Sequence, residues 1–199
     1  MTSAPHRGGP GIKRAPLGRS FAAGVSLCAA LLLGRSAIGD EAQTALANTV
    51  RASYLYNFAV QTEWPEGAFA GPNAPFILGL AGDVPFVLAL ETGLRGKSLA
   101  GRKIVVRAVG TSDEAARCHV LFIGAVTSER MAALLAAVAA KPVLTVSETE
   151  GFAKRGGILN LFRGESSLRF EANPSAAARA HLRLSSQLLK LARIVKDKD

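Results

Sequence analysis

Cysteine is nearly missing from these 199 residues, with only Cys28 and Cys118 present. Two thiols cannot build a disulfide-rich scaffold or a Cys-based zinc finger. Histidine is as scarce, at three, and no H-E-x-x-H, C-x-x-C or G-x-S-x-G pattern occurs. The signatures of zinc proteases, thiol oxidoreductases and nucleophile elbows are therefore absent. Long apolar runs are missing too. The longest is residues 21–33 (FAAGVSLCAALLL), 13 residues without a charge, short of the roughly 20 that a bilayer-spanning helix needs. Acidic side chains do not occur before Asp40, whereas the first 39 residues hold five basic ones, Arg7, Lys13, Arg14, Arg19 and Arg35. The formal charge of +9 is thus concentrated at the front, and residues 40–199 carry 19 basic against 15 acidic groups. With aromatics at 6% and no recognisable nucleic-acid module, the charge gives no reason to expect a nucleic-acid partner. What remains, 49% apolar and 20% charged, is the composition of a folding domain.

A basic stretch, a short apolar run and small residues after it describe a secretory signal peptide. Ala37-Ile38-Gly39 places small residues where a signal peptidase reads, which predicts cleavage before Asp40. Ala45-Leu46-Ala47 is a second, more distant candidate. Cys28 follows Leu27 in mid-run, which does not fit a lipoprotein acceptor, and Arg19-Ser20-Phe21 lacks adjacent arginines for a twin-arginine signal. The expected division is 1–39 as leader and 40–199 as one domain in the periplasm. Removing the leader leaves Cys118 as the sole thiol. It borders Val120-Leu121-Phe122-Ile123 and is expected to be buried, because free Cys behaves as a small apolar group.

Leu46, Val50, Tyr54, Leu55 and Phe58 recur at helical spacing, predicting a helix over 41–62 that ends before Trp64-Pro65. Strands are expected at 75–80, 104–109, 119–123 and 142–146. Helices follow at 85–90 and, capped by Thr127 or Ser128, at 129–140. Residues 158–162 and 167–172 read as a hairpin with Leu168 and Phe170 inward and Arg169 and Glu171 outward. From Asn173 a long helix is expected to about residue 195, with Leu184, Leu188, Leu191 and Val195 on one stripe and Arg179, Arg183, Lys190 and Arg193 on another. The fold class is α/β: a single domain, a largely parallel sheet flanked by helices, a C-terminal hairpin and a long C-terminal helix.

Candidate chemistry is thin. Cys118 and His119 are adjacent and precede or open a strand; neighbouring strand residues face opposite ways, so they form no dyad. His181 has no acid or histidine three or four residues away. Glu148/Glu150 and Glu63/Glu66 read as solvated charges at element ends. Gly79-Leu80-Ala81-Gly82-Asp83 faintly resembles a phosphate-cradling loop but lacks the third glycine and the Lys-Ser/Thr pair, leaving a tight strand-to-helix turn. No cofactor or metal site is expected, and no catalytic residue.

A set of segments in order carries a family likeness. They are Ser53-Tyr54-Leu55-Tyr56-Asn57-Phe58 with Glu63-Trp64-Pro65; Gly79-Leu80-Ala81-Gly82-Asp83; Cys118-His119-Val120-Leu121-Phe122-Ile123; and Pro142-Val143-Leu144-Thr145-Val146-Ser147 leading to Gly151-Phe152. Then come Gly156-Gly157-Ile158-Leu159-Asn160-Leu161-Phe162, Arg169-Phe170-Glu171-Ala172-Asn173, and Leu184-Ser185-Ser186-Gln187-Leu188-Leu189-Lys190-Leu191-Ala192. Over residues 48–195 the chain resembles the YfiR family of exported bacterial proteins. The resemblance implies a periplasmic α/β regulator, able to dimerise, with no enzymatic activity. It also implies that the protein represses an inner-membrane diguanylate cyclase by binding its periplasmic region, with an outer-membrane lipoprotein relieving the repression, and so tunes cyclic di-GMP and biofilm formation. A histidine kinase is the other membrane signalling partner of this kind. A periplasmic small-molecule sensing or binding domain is the alternative.

Five residues are offered for partner or ligand binding. Arg169 and Glu171 share a strand face, either as a solvated ion pair or, with Glu171 beside Ser185, as part of a polar site. Trp64 is either core or an interface anchor. Phe152, on the loop between Gly151 and Gly156, is expected as an exposed anchor.

Overall fold

The computed structural model describes residues 1–2, 24–165 and 167–198, without the side chains of 24–40 and 84. The basic part of the expected leader, most of it before residue 24, and the side chains around the expected cleavage point lie outside the described residues. The chain divides into two units, Met1–Gln43 and Thr44–Asp199, and the second holds the domain.

Helix α1 (Gly24–Val60) buries Ala52, Leu55, Phe58 and Ala59, which repeat at three- and four-residue intervals and so share one face. It stops two residues short of the expected 62. The Thr62 hydroxyl donates to Phe58 O at 2.7 Å, and Thr62–Glu63 leave as strand β1. The 3₁₀ turn Glu66–Ala68 then leads to β2 (Phe76–Ala81). There follow α2 (Val84–Gly93), β3 (Ser98–Leu99), β4 (Arg102–Ala108), α3 (Ser112–Ala115), β5 (Val120–Ile123), α4 (Ser128–Val138) and β6 (Leu144–Ser147). Thr127 caps α4, its hydroxyl accepting from Arg130 N. A second 3₁₀ turn, Ala153–Arg155, precedes β7 (Leu159–Arg163) and β8 (Leu168–Ala172), which pair antiparallel as the expected hairpin.

The sheet runs β3-β4-β2-β5-β6-β7-β8 and is closed at the far side by β10 (Arg193–Ile194). From β4 to β7 all neighbours are parallel. Two apolar layers cover its faces. Leu78, Leu80, Val120, Phe122, Leu144 and Val146 pack with α1 and α2, while Leu121 and Ile123 pack with Met131, Leu134 and Val138 of α4. Strand residues of alternate parity feed the two layers, which is why these strands read as unbroken apolar runs.

The long C-terminal helix does not exist. After α5 (Pro174–Arg179), His181 adopts a left-handed backbone with φ of +57°. Residues Arg183–Leu184 form β9, which pairs antiparallel with β1. Ser185 restarts a helix, α6 (Ser186–Leu191), by accepting from Leu188 N, and β10 ends the sheet. Tertiary pairing of β9 and β10 overrides a leucine periodicity that suits one helix. The basic stripe is dispersed accordingly: Arg179 pairs with Asp197 at 2.7 Å, Arg183 approaches Glu63 at 3.8 Å, and Arg193 binds Glu171.

Candidate functional site at the carboxyl ends of the central strands

The parallel strands β4-β2-β5-β6-β7 follow the 2-1-3-4-5 winding of doubly wound folds. The chain leaves β2 in one direction and returns on its other side. Such a switch opens a crevice beyond the carboxyl ends of β2 and β5, the usual ligand position in these folds.

Here the crevice is filled by the chain itself. The faint phosphate-loop motif is a tight turn into α2, whose Asp83 caps the helix by accepting from Phe86 N at 3.2 Å. Gly82 takes φ of +80°, and a Cβ there would lie 2.4 Å from Val126 Cγ1 and 2.8 Å from Ala125 O. Only glycine lets the turn approach that loop so closely. Into this corner α1 delivers Arg51, which sequence reasoning missed. Its guanidinium donates to Asp83 Oδ2 at 2.7 Å, lies 2.9 Å from Glu148 Oε1 and bonds Asn48 at 3.0 Å. Its plane covers the Phe86 ring at 4.0 Å and faces Phe122 at 5.0 Å. Arginine holds its charge and has no proton to give at neutral pH. The cluster fastens α1 to the strand ends. The only sequence signals were Asp83 in the turn and Glu148 after β6, with nothing to link either to a residue on the first helix.

The neighbouring polar groups are occupied by backbone. Ser147 donates to Ile123 O at 2.6 Å, and Asn160 Nδ2 donates to Ser147 O and Leu161 O. Thr145 accepts from Ile158 N at 3.0 Å. Among the described residues no group of three His, Cys, Asp or Glu could hold a metal ion.

Cys118 is buried and unpaired, and burial pushes its thiol up to about 11. Cys118 packs in the α4 layer, whereas His119, which like Cys118 precedes β5, packs on Phe76 of the other layer. Its ring stacks against both Phe69 and Phe76, with centroids 4.5 and 5.0 Å away. Its Nδ1 accepts from Ile77 N at 2.9 Å, so Nε2 carries the proton toward Ala68 O at 3.1 Å. Burial holds its pKa below the ordinary histidine range.

The five residues offered for binding are scattered. Trp64 is half-buried, edge-on to Phe76 at 5.2 Å. Phe152 is 0% exposed and is no surface anchor, because Gly157 lacks a Cβ and the ring lies across it; a Cβ there would sit 2.2 Å from Phe152 Cε1. Glu171 does not face solvent: it is 4% exposed and bound by Arg193 from β10, so it forms no ion pair with exposed Arg169. Ser185 is engaged elsewhere, donating to Gln61 Oε1 at 2.6 Å and capping α6. Glu171 and Ser185 thus have separate partners.

The YfiR/HmsC-like family profile matches residues 48–193. The chain belongs to the YfiR/HmsC-like family. That match spans the domain from the helix that carries Arg51 to the edge strand that carries Arg193, and it includes the whole sheet. Among the described residues, no helix of this YfiR/HmsC-like chain is long and apolar enough to cross a membrane.

Proposed function

We propose that this protein is an exported periplasmic regulator that binds the periplasmic region of an inner-membrane signalling protein, a diguanylate cyclase, and represses it. The family match over residues 48–193 carries this reading. The Arg51 cluster supports it, since the crevice in which a doubly wound fold takes a ligand is given over to holding the domain together. A regulator of this kind works by differential affinity for two partners, here the cyclase and a lipoprotein that relieves it. Residues 1–39 serve as the cleavable leader in this reading, and exposed Arg169 and half-buried Trp64 are available for contact.

The test is a bacterial two-hybrid and pull-down of residues 40–199 against the periplasmic segments of the organism's membrane cyclases, with cyclic di-GMP measured after deletion. Capture of one cyclase and a rise in cyclic di-GMP on deletion is the expected result. Failure to capture any cyclase, with cyclic di-GMP unchanged on deletion, refutes the proposal.

A further inference from the structure

Strand β4 is seven residues long, yet its outer neighbour β3 covers only Arg102 and Lys103. On its inner side β4 pairs with β2 from Ile104 to Ala108. Val109 N donates to Leu80 O at 2.7 Å, so odd-numbered residues turn their backbone groups inward and Ile104, Val106 and Ala108 turn theirs outward. Those groups form an open edge of five residues, about 17 Å long at strand rise.

A groove of about 570 Å³ runs along this edge, walled by the end of α2 and the loop after it. Its charge has one dominant sign. Arg95, Lys97 and Lys103 line it against Glu91 alone, and Arg107 stands exposed further along the strand. The strand's two faces also differ. Ile104 and Val106 are half-buried toward α2, whereas Lys103 and Arg107 project from the other face.

We propose that this edge receives an extended acidic peptide segment of a partner protein, added as an outer strand beside β4. The segment would alternate apolar and acidic residues, the apolar ones beside Ile104 and Val106 and the carboxylates beside Lys103 and Arg107, since side chains directly across a strand pair interact. A second copy of this chain does not suit the edge. Antiparallel self-pairing keeps Lys103 and Arg107 on one face with their counterparts, and like charges facing each other across a ladder are unfavourable. The proposal deepens the reading of the protein as a regulator that binds another protein, and rests on it for the physiological partner.

The probe is a fluorescein-labelled (Glu-Val)₄ peptide, with (Lys-Val)₄ as its counterpart, titrated into residues 40–199 by anisotropy at low and high salt. Two variants separate charge from backbone. Lys103→Glu with Arg107→Glu changes exposed side chains only. Val106→Pro deletes an outward N–H while leaving the β2 ladder intact, which an edge position tolerates. We expect (Glu-Val)₄ to bind more weakly as salt rises, to lose at least tenfold in affinity with Val106→Pro, and to give way to (Lys-Val)₄ in the charge-reversed variant. Amide shifts on binding should centre on residues 104–108. Equal binding by wild type and the charge-reversed variant overturns the proposal. So do shifts centred elsewhere, or a wild-type dimer abolished by Val106→Pro, which would assign the edge to self-association. Because the assay contains no cyclase, its failure leaves the two-hybrid result standing, and a negative two-hybrid leaves strand addition standing.

Discussion

Arg51 Nη2 lies 2.7 Å from Asp83 Oδ2, joining the first helix to the turn after β2 across 32 positions of sequence. Both side chains are largely screened from solvent, and Glu148 completes the set on the guanidinium's other side. Arg51→Met removes the cation and leaves partly buried Asp83 and exposed Glu148 without their shared partner. We expect a loss of about 2–3 kcal/mol, somewhat below that for a fully buried pair. Urea denaturation of Arg51→Met, Asp83→Asn and the double variant measures it. The double variant should recover part of the single-variant loss, because no carboxylate at position 83 is then orphaned.

His119 makes stability depend on pH. Its folded pKa lies below the ordinary value of 6.5, so in the window between the two the unfolded chain binds the extra proton. The stabilisation is complete above about 6.5 and is lost as pH falls toward the folded value. Protonation would also place a donor at Nδ1 opposite Ile77 N, which donates there now. The urea midpoint should fall between pH 7.5 and 5.0, and His119→Gln should flatten that part of the profile.

Cys118 should resist alkylation. With its pKa pushed up to about 11, almost no thiolate exists at pH 8, and burial blocks access. Iodoacetamide at pH 8 should label native residues 40–199, whose sole thiol is Cys118, negligibly and the urea-unfolded form fully, as read by intact mass.

Phe152 and Gly157 depend on each other. Gly157→Ala drives a methyl into the ring, and overpacking of this kind costs about 1–3 kcal/mol. Phe152→Ala opens a cavity instead and should cost about 3–5 kcal/mol. Thermal unfolding distinguishes both from wild type.

The readable parts of this sequence were those whose pattern is local. Val120-Leu121-Phe122-Ile123 is apolar on both faces because helices cover both faces, and the alanine-rich stretch behind Thr127 has the propensity and cap of α4. The end of the chain was not readable in that way. Leu184, Leu188 and Leu191 keep helical spacing, but the left-handed His181 and the pairing of β9 with a strand more than a hundred residues earlier decide the path. Phe152 reads as a loop residue between glycines, and only the missing Cβ of Gly157, pressed against its ring, explains its burial. Arg51 is one basic residue on a helix until the fold brings Asp83 and Glu148 to it. Glu171 looked solvent-facing because strand alternation ignores the Arg193 side chain that β10, paired beside β8, brings to it.

The first helix meets its aromatic neighbours late. Phe58 packs on Phe170 with ring centroids 4.9 Å apart, and Tyr54 donates to Leu168 O across 114 positions. Gln61 waits still longer, for Ser185. A chain that emerges N-terminus first therefore closes these particular contacts only after nearly all the rest has followed. Closure is delayed by such distant pairings. The segment from Leu168 onward is thus what locks the far end of the first helix in place.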